Sequence, residues 1–210
     1  MKAGTPLAPA RPGAPARPKL YFIRHGETDW NREGRLQGSK DIPLNDLGRQ
    51  QAAQVGQPLR DLLGPRVEKL PWIVSPMIRA RETADILRHA IGMPKGGYRI
   101  DPRLEEINFG SWEGLTWRDV SQHFPDRARA RARNKWGFVP PDGESYAMLL
   151  DRVWPVFDDL TGETIVVAHG GIARTLLVRL AGMKENEATI VDIWQGRALV
   201  FEAGGAYWMP

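Results

Sequence analysis

Cysteine is absent from the 210 residues, which excludes disulfides, thiolate metal sites and any cysteine-nucleophile chemistry and leaves the redox compartment open. Long apolar runs are missing as well. Nothing approaches the roughly 18 consecutive apolar residues of a membrane span, and no stretch near the N-terminus resembles a signal h-region. The expectation is a cytoplasmic chain with no membrane partner. Histidine is scarce: His25, His89, His123 and His169 are the four present. None stands at a ligand-pair spacing and no DxD aspartate pair occurs, so a metal-independent protein is expected. P-loop and dinucleotide fingerprints are also lacking, and no cofactor is expected.

The net charge of +4 and pI near 9.6 invite a nucleic-acid partner, but the excess is local. Lys2, Arg11, Arg17 and Lys19 fall in residues 1–19 with no acid; the 29 bases less these four match the 25 acids. A basic solubilising segment on a neutral body is the reading preferred, and no nucleic-acid partner is expected. Residues 1–18 carry Pro6, Pro9, Pro12, Pro15 and Pro18 among Ala, Gly and Arg. Such composition favours extended, solvated backbone, so 1–18 reads as a flexible tail and 19–210 as a single domain.

From Lys19 onward, short apolar runs alternate with helical patterns, the signature of an α/β domain with a largely parallel sheet. Leu20–Ile23, Trp72–Val74 and Thr164–Ala168 read as buried strands. Helices are expected over Asn45–Leu63, from an N-cap at Ser75 with Pro76 first and running toward Ile91, and over Ile172–Leu180 closed by Gly182. Ala188–Trp194 and Ala198–Glu202 read as a closing strand pair turned at Gln195-Gly196. Residues 102–145, rich in Trp, Arg, Gly and Pro, read as a substrate-facing insert or lid. Its arginines Arg127, Arg129, Arg131 and Arg133 are spaced by two, which spreads them around a helix and suggests a solvated element rather than an anion-attracting rim. Trp30, Trp112, Trp117, Trp136 and Phe138 read as packing within this region ahead of an apolar mouth.

Three times a polar group suited to phosphate follows an apolar strand at once: Arg24-His25-Gly26, Ser75 through Arg79, and His169-Gly170-Gly171. Carboxyl ends of parallel strands share one sheet edge, where ligands bind. Two arginines, two histidines, close-approach glycines and helix N-termini all favour an anion there. A histidine attacks phosphorus only as neutral imidazole; Arg24 and Arg79 nearby would disfavour a second positive charge on His25 and would also neutralise phosphoryl oxygens.

These residues carry a resemblance. Arg24-His25-Gly26-Glu27-Thr28 with Trp30-Asn31 and Leu36-Gln37-Gly38 is similar to the opening signature of the histidine phosphatase superfamily, phosphoglycerate-mutase-like branch. The likeness continues through Leu44–Gly48, Ser75–Ala80, Leu104-Glu105-Glu106, Gly110–Gly114, Asp142–Ser145 and Val166–Gly171, over about residues 20–175. It implies a three-layer α/β/α sandwich with a mostly parallel central sheet. It further implies His25 as phosphorylated nucleophile, Glu106 as proton donor ahead of Glu105, and a phosphate pocket of Arg24, Arg79 and His169. Asn31, Gln37, Gly38 and the backbone of Gly170 are expected at phosphate or substrate. Asn45 and Glu82 depart from the commoner residues at their positions and are read as cap or surface variation.

What the resemblance implies of function is a phosphomonoester hydrolase acting through phosphohistidine on a small phosphorylated metabolite, as monomer or homodimer. A cofactor-dependent phosphoglycerate mutase is the alternative within the same chemistry. An idle interaction module is the alternative of another class, against which the retained Arg24, His25, Arg79, Glu106 and His169 weigh.

Overall fold

The computed structural model describes residues 5–10, 12–13 and 16–209. Thr164–Ala168 is buried throughout, and its side chains alternate between two apolar clusters, Val166 and Ala168 in one, Ile165 and Val167 in the other. A strand apolar on both faces needs cover on both. It lies inside a seven-stranded sheet made of β1 (Thr5–Ala8), β2 (Leu20–Arg24), β3 (Trp72–Val74), β4 (Arg99–Ile100), β5 (Thr164–Ala168), β6 (Ala198–Glu202) and β7 (Gly205–Trp208), in the order β1-β7-β6-β2-β5-β3-β4. β2, β5, β3 and β4 run parallel; β6, β7 and β1 are antiparallel additions.

The helices are α1 (Asp29–Arg32), α2 (Asp46–Gln54), α3 (Gly56–Leu63), α4 (Ile78–Ala90), α5 (Trp117–His123), α6 (Pro125–Arg133), α7 (Tyr146–Asp158), α8 (Gly170–Arg179) and α9 (Glu185–Ala188). Leu59 and Leu63 of α3 with Ala84 and Leu87 of α4 cover one sheet face. Leu149 and Val153 of α7 with Ile172 and Leu176 of α8 cover the other. The result is the expected three-layer α/β/α sandwich with a mostly parallel centre. α5 and α6 belong to the 102–145 insert, organised around Trp112, which is fully buried and stacked on Phe138 at 5.5 Å between centroids.

Four local expectations are corrected. The 1–18 tail contributes a strand, since Thr5–Ala8 pairs with β7 and Ala8 joins the core. An edge position tolerates Pro6, which has no N–H to donate, and a Cβ on Gly205 would lie 2.7 Å from Ala10 N, so glycine there permits the approach. Residues 1–4, 11, 14 and 15 of that segment lie outside the described residues. The helix expected over 45–63 is two. Pro58 cannot donate to the carbonyl of Gln54 four residues back, and α2 ends at Gln54. α4 begins at Ile78 after Met77, because the Ser75 hydroxyl is engaged elsewhere. Finally, β6 forms its hairpin with β7 through Ala203 and Gly204, both at positive φ, the backbone of a tight hairpin turn; residues 189–194 form no strand beside it.

One glycine crossing seats the loop after β2. A Cβ on Gly48 of α2 would fall inside contact distance of the Glu27 backbone, and one on Gly26 would do the same to Gly48. Gly48→Ala should therefore lower stability by about 2 kcal/mol, the scale of forced overpacking, read as a reduced urea midpoint.

Candidate active site

β2, β3 and β5 end side by side, so Arg24 and His25, Ser75, and His169 emerge at one edge. His25 is buried, and its Nδ1 lies 2.7 Å from its neighbour's carbonyl, Gly26 O. A carbonyl can only accept, so Nδ1 carries the proton and Nε2 holds the free lone pair. Gly26 N in turn donates to Thr83 Oγ1 at 3.0 Å, which fixes the loop. Burial first, then the positive charges of Arg79 and Arg24, holds the imidazole well below its ordinary range.

His169 is wholly buried, its ring centroid 5.2 Å from that of His25. Ser75 Oγ lies 2.7 Å from His169 Nε2 and accepts from Met77 N at 3.4 Å. With the Ser75 hydroxyl hydrogen free to be given to Nε2, we assign the ring proton to Nδ1. Burial, followed by Arg79, His25 and Arg24, also keeps this imidazole neutral.

Arg79, in the first turn of α4, is fully buried and gives Nη1 to Lys40 O (2.7 Å) and Nη2 to Gly38 O (2.9 Å). Gly38 holds φ +54, and a Cβ there would strike Glu113. Arg24 gives Nη1 to Ile193 O at 2.8 Å; burial and then Arg174 lower its pKa to about 10, so it stays cationic. Arg24 Nε, Arg79 Nε and His169 Nδ1 are buried donors without a protein partner among the described residues, as is the acceptor Gln37 Oε1. Buried donors are seldom left unpaired, and three beside one nucleophile form a cradle complementary to an anion.

Glu106 reaches the same cavity from the insert. Its carboxylate accepts from Ile107 N at 2.9 Å and from Gly171 N at 3.1 and 3.2 Å. Glu105 is exposed. Asn31 is on the wall too, its Oδ1 accepting from Thr28 N, Thr28 Oγ1 and Gln195 Nε2. With Oδ1 thus occupied, Nδ2 is the half of the amide left for a further partner. Gly170 sits against Arg24, where a Cβ would come 3.5 Å from Nε; Gly171 rather than Gly170 lines the cavity.

The cavity, about 180 Å³, is walled by His25, Glu106 and the sequence-read Arg24, Asn31, Gln37, Gly38 and Arg79, and also by Arg131, Lys135 and Arg174. The sequence reads Arg131 as part of a solvated helix and Gln195 as a turn residue, and does not single out Lys135 and Arg174 as site residues. Arg174 was findable, one turn beyond Gly170 on α8. Arg131 and Lys135 are half-buried whereas Arg127, Arg129 and Arg133 are exposed, so the insert's charges are only in part a solvated face. Trp117 lines the cavity, and Trp112 and Phe138 pack behind it. Asn45 caps α2 through Gly48 N, and Glu82 pairs with Arg49. Among the described residues no cluster of three or more His, Asp or Glu could hold a metal ion, and no helix is long and apolar enough to cross a membrane.

Known proteins resemble this chain over most of its length. A family profile described as histidine phosphatase superfamily (branch 1) matches residues 20–206. A glucosyl-3-phosphoglycerate phosphatase of Mycolicibacterium vanbaalenii is 32% identical over 188 residues, 84% of this chain and 77% of the relative. Phosphoglycerate mutase-like protein 4 of Arabidopsis thaliana is 36% identical over 168 residues, 77% of this chain and 70% of the relative. The crystal structure of a phosphoglycerate mutase from Thermus thermophilus superposes with a TM-score of 0.65 at 34% identity, covering 87% of this chain and 91% of that one.

Both buried histidines have native pKa values below the unfolded value of about 6.5. The unfolded chain therefore binds more protons below that pH, and the stability tied to neutral imidazoles is present above pH 6.5 and lost as pH falls through it. Urea midpoints should drop between pH 7.5 and pH 5.5, and a His25→Asn/His169→Asn protein should show a shallower drop.

Proposed function

The chain belongs to branch 1 of the histidine phosphatase superfamily, and from that premise we propose that it hydrolyses small phosphomonoesters through a phosphohistidine on His25. The observation that carries this reading is the trio of unpaired buried donors, Arg24 Nε, Arg79 Nε and His169 Nδ1, set around an imidazole held neutral. Equatorial phosphoryl oxygens take up those donors, and the two guanidiniums neutralise charge as it spreads onto the oxygens.

In the first step His25 Nε2 attacks phosphorus and the ester P–O bond breaks, its electron pair passing to the leaving oxygen. Protonated Glu106 supplies that oxygen with a proton. In the second step a water attacks the phosphohistidine, Glu106 carboxylate takes the water's proton, and the P–N bond returns its pair to Nε2. Gly26 O, accepting from Nδ1, steadies the ring and offsets the positive charge it gains on phosphorylation. No step calls on a metal ion. Water is favoured over a second alcohol as acceptor by the resemblance of the compact chain and of its Trp112-Glu113-Gly114 and Asp142–Ser145 elements to phosphatase-type members.

Incubation with a labelled phosphomonoester in EDTA should place acid-labile label on His25, lost in His25→Ala. Glu106→Gln should cut kcat on an alkyl phosphate by about 100-fold, the usual scale for a general acid, and far less on p-nitrophenyl phosphate, whose leaving group needs little proton help. A label stable to acid, or equal losses on both esters, would refute these roles. Interconversion of phosphoglycerates stimulated by a bisphosphoglycerate would point to the mutase instead.

A further inference from the structure

Glu106 projects from a stretch without regular structure. Residues 105–109 lie in no helix or strand, so no ladder of backbone bonds sets where the carboxylate points. Its seat is nevertheless close. Gly171 N donates to both carboxylate oxygens, and a Cβ on Gly171 would collide with Glu106 Oε1.

The backbone beneath Glu106 is fastened from α7. Ser145 caps that helix by accepting from Met148 N at 3.2 Å, which puts Glu144 just ahead of the helix and Arg152 about two turns along it. Arg152 spends all five of its N–H donors. Nε and Nη2 form a fork on the Glu144 carboxylate at 2.9 and 2.8 Å. Nη1 donates to Arg103 O at 2.6 Å and Glu105 O at 3.1 Å, and Nη2 also donates to Glu106 O at 3.4 Å. Glu144 takes the other flank, its N–H donating to Asn108 O at 2.8 Å and its Oε2 accepting from Asn108 N at 3.5 Å. Chain on both sides of Glu106 is thus tied to one ion pair. That pair is mostly out of water, the Arg152 and Glu144 side chains being 29% and 13% exposed, and neither residue is among those walling the cavity.

We propose that Arg152, paired with Glu144, is the positioning residue for the proton donor: it fixes the backbone of 103–108 so that the Glu106 carboxylate meets the leaving oxygen. Arg152 acts through Glu106 and touches no substrate. Lysine is no equivalent, because a point charge with donors on one nitrogen can pair with Glu144 but cannot span three carbonyls as well. This inference rests on the phosphomonoester reading above and on the role given there to Glu106.

The test compares kcat/KM, which reports the steps up to P–O cleavage, on two esters of similar shape. Benzyl phosphate releases an alcohol that needs a proton; p-nitrophenyl phosphate releases a phenolate that needs little help. Arg152→Lys should lower kcat/KM about tenfold on benzyl phosphate, the scale of a misplaced general acid, and less than about twofold on p-nitrophenyl phosphate. In the Glu106→Gln background the same change should cost nothing further on either ester. Arg152→Met/Glu144→Leu removes both charges and leaves neither unpaired, and it should repeat the selective loss, with a cooperative urea transition reporting that each variant is folded. Equal losses on both esters, no loss, or a full additional loss on top of Glu106→Gln would overturn the positioning role alone. Glu106→Gln costing the two esters equally would overturn the general-acid role and the positioning role with it. A wild-type protein that cleaves neither ester would overturn the phosphomonoester reading itself.

Discussion

Packing two neutral imidazoles and two guanidiniums together out of water is the constraint to which the rest of the site answers. Burial alone disfavours charge on His25 and His169, and the adjacent Arg79 and Arg24 disfavour it further. Such a group stays together only where neutral dipoles hold every member, the Ser75 hydroxyl for His169 and backbone carbonyls for the other three. Gly26 O takes the His25 proton, Gly38 O and Lys40 O take Arg79, and Ile193 O takes Arg24. Each acceptor is a neutral dipole, so the guanidiniums are oriented without being neutralised. Carboxylates in those places would cancel the charge that an incoming phosphoryl group needs.

The segment after α9 shows how the fold enforces this. Carbonyls of Thr189, Val191 and Ile193, at alternate positions of one stretch, accept from Lys135, Arg174 and Arg24 in turn. Thr189 closes α9 in the αR region, and 191–193 continue without entering a strand, so these carbonyls are taken by the site's cations instead of by a ladder with β6. The segment therefore links a residue just beyond α6, one on α8 and one at the end of β2.

That same segment marks where sequence reasoning stopped. Alternation through 188–194 signals extended backbone, but 189–190 turn off the end of α9 and 191–194 form no strand; a one-dimensional pattern cannot tell sheet partners from side-chain partners. β2, β3 and β5 were legible because runs such as Leu20–Ile23 and Thr164–Ala168 are buried on both faces, and Arg24, His25, Arg79 and Glu106 because each sits at a fixed offset from a strand end or motif. Arg131, Lys135 and Gln195 had no such marker. Arg131 looks like its neighbours in an Arg-Ala repeat, and only the docking of α6 against the cavity separates it from Arg129. The edge strand Thr5–Ala8 was hidden likewise, since its pairing depends on a hairpin at the other end of the chain.

On the route proposed above, whether His25 passes the phosphoryl group to water or to an alcohol turns on how long the leaving alcohol stays. Relatives of this chain carry both phosphatase and mutase names. Glu106 serves either outcome, because a carboxylate that has protonated one oxygen can deprotonate the next one to arrive.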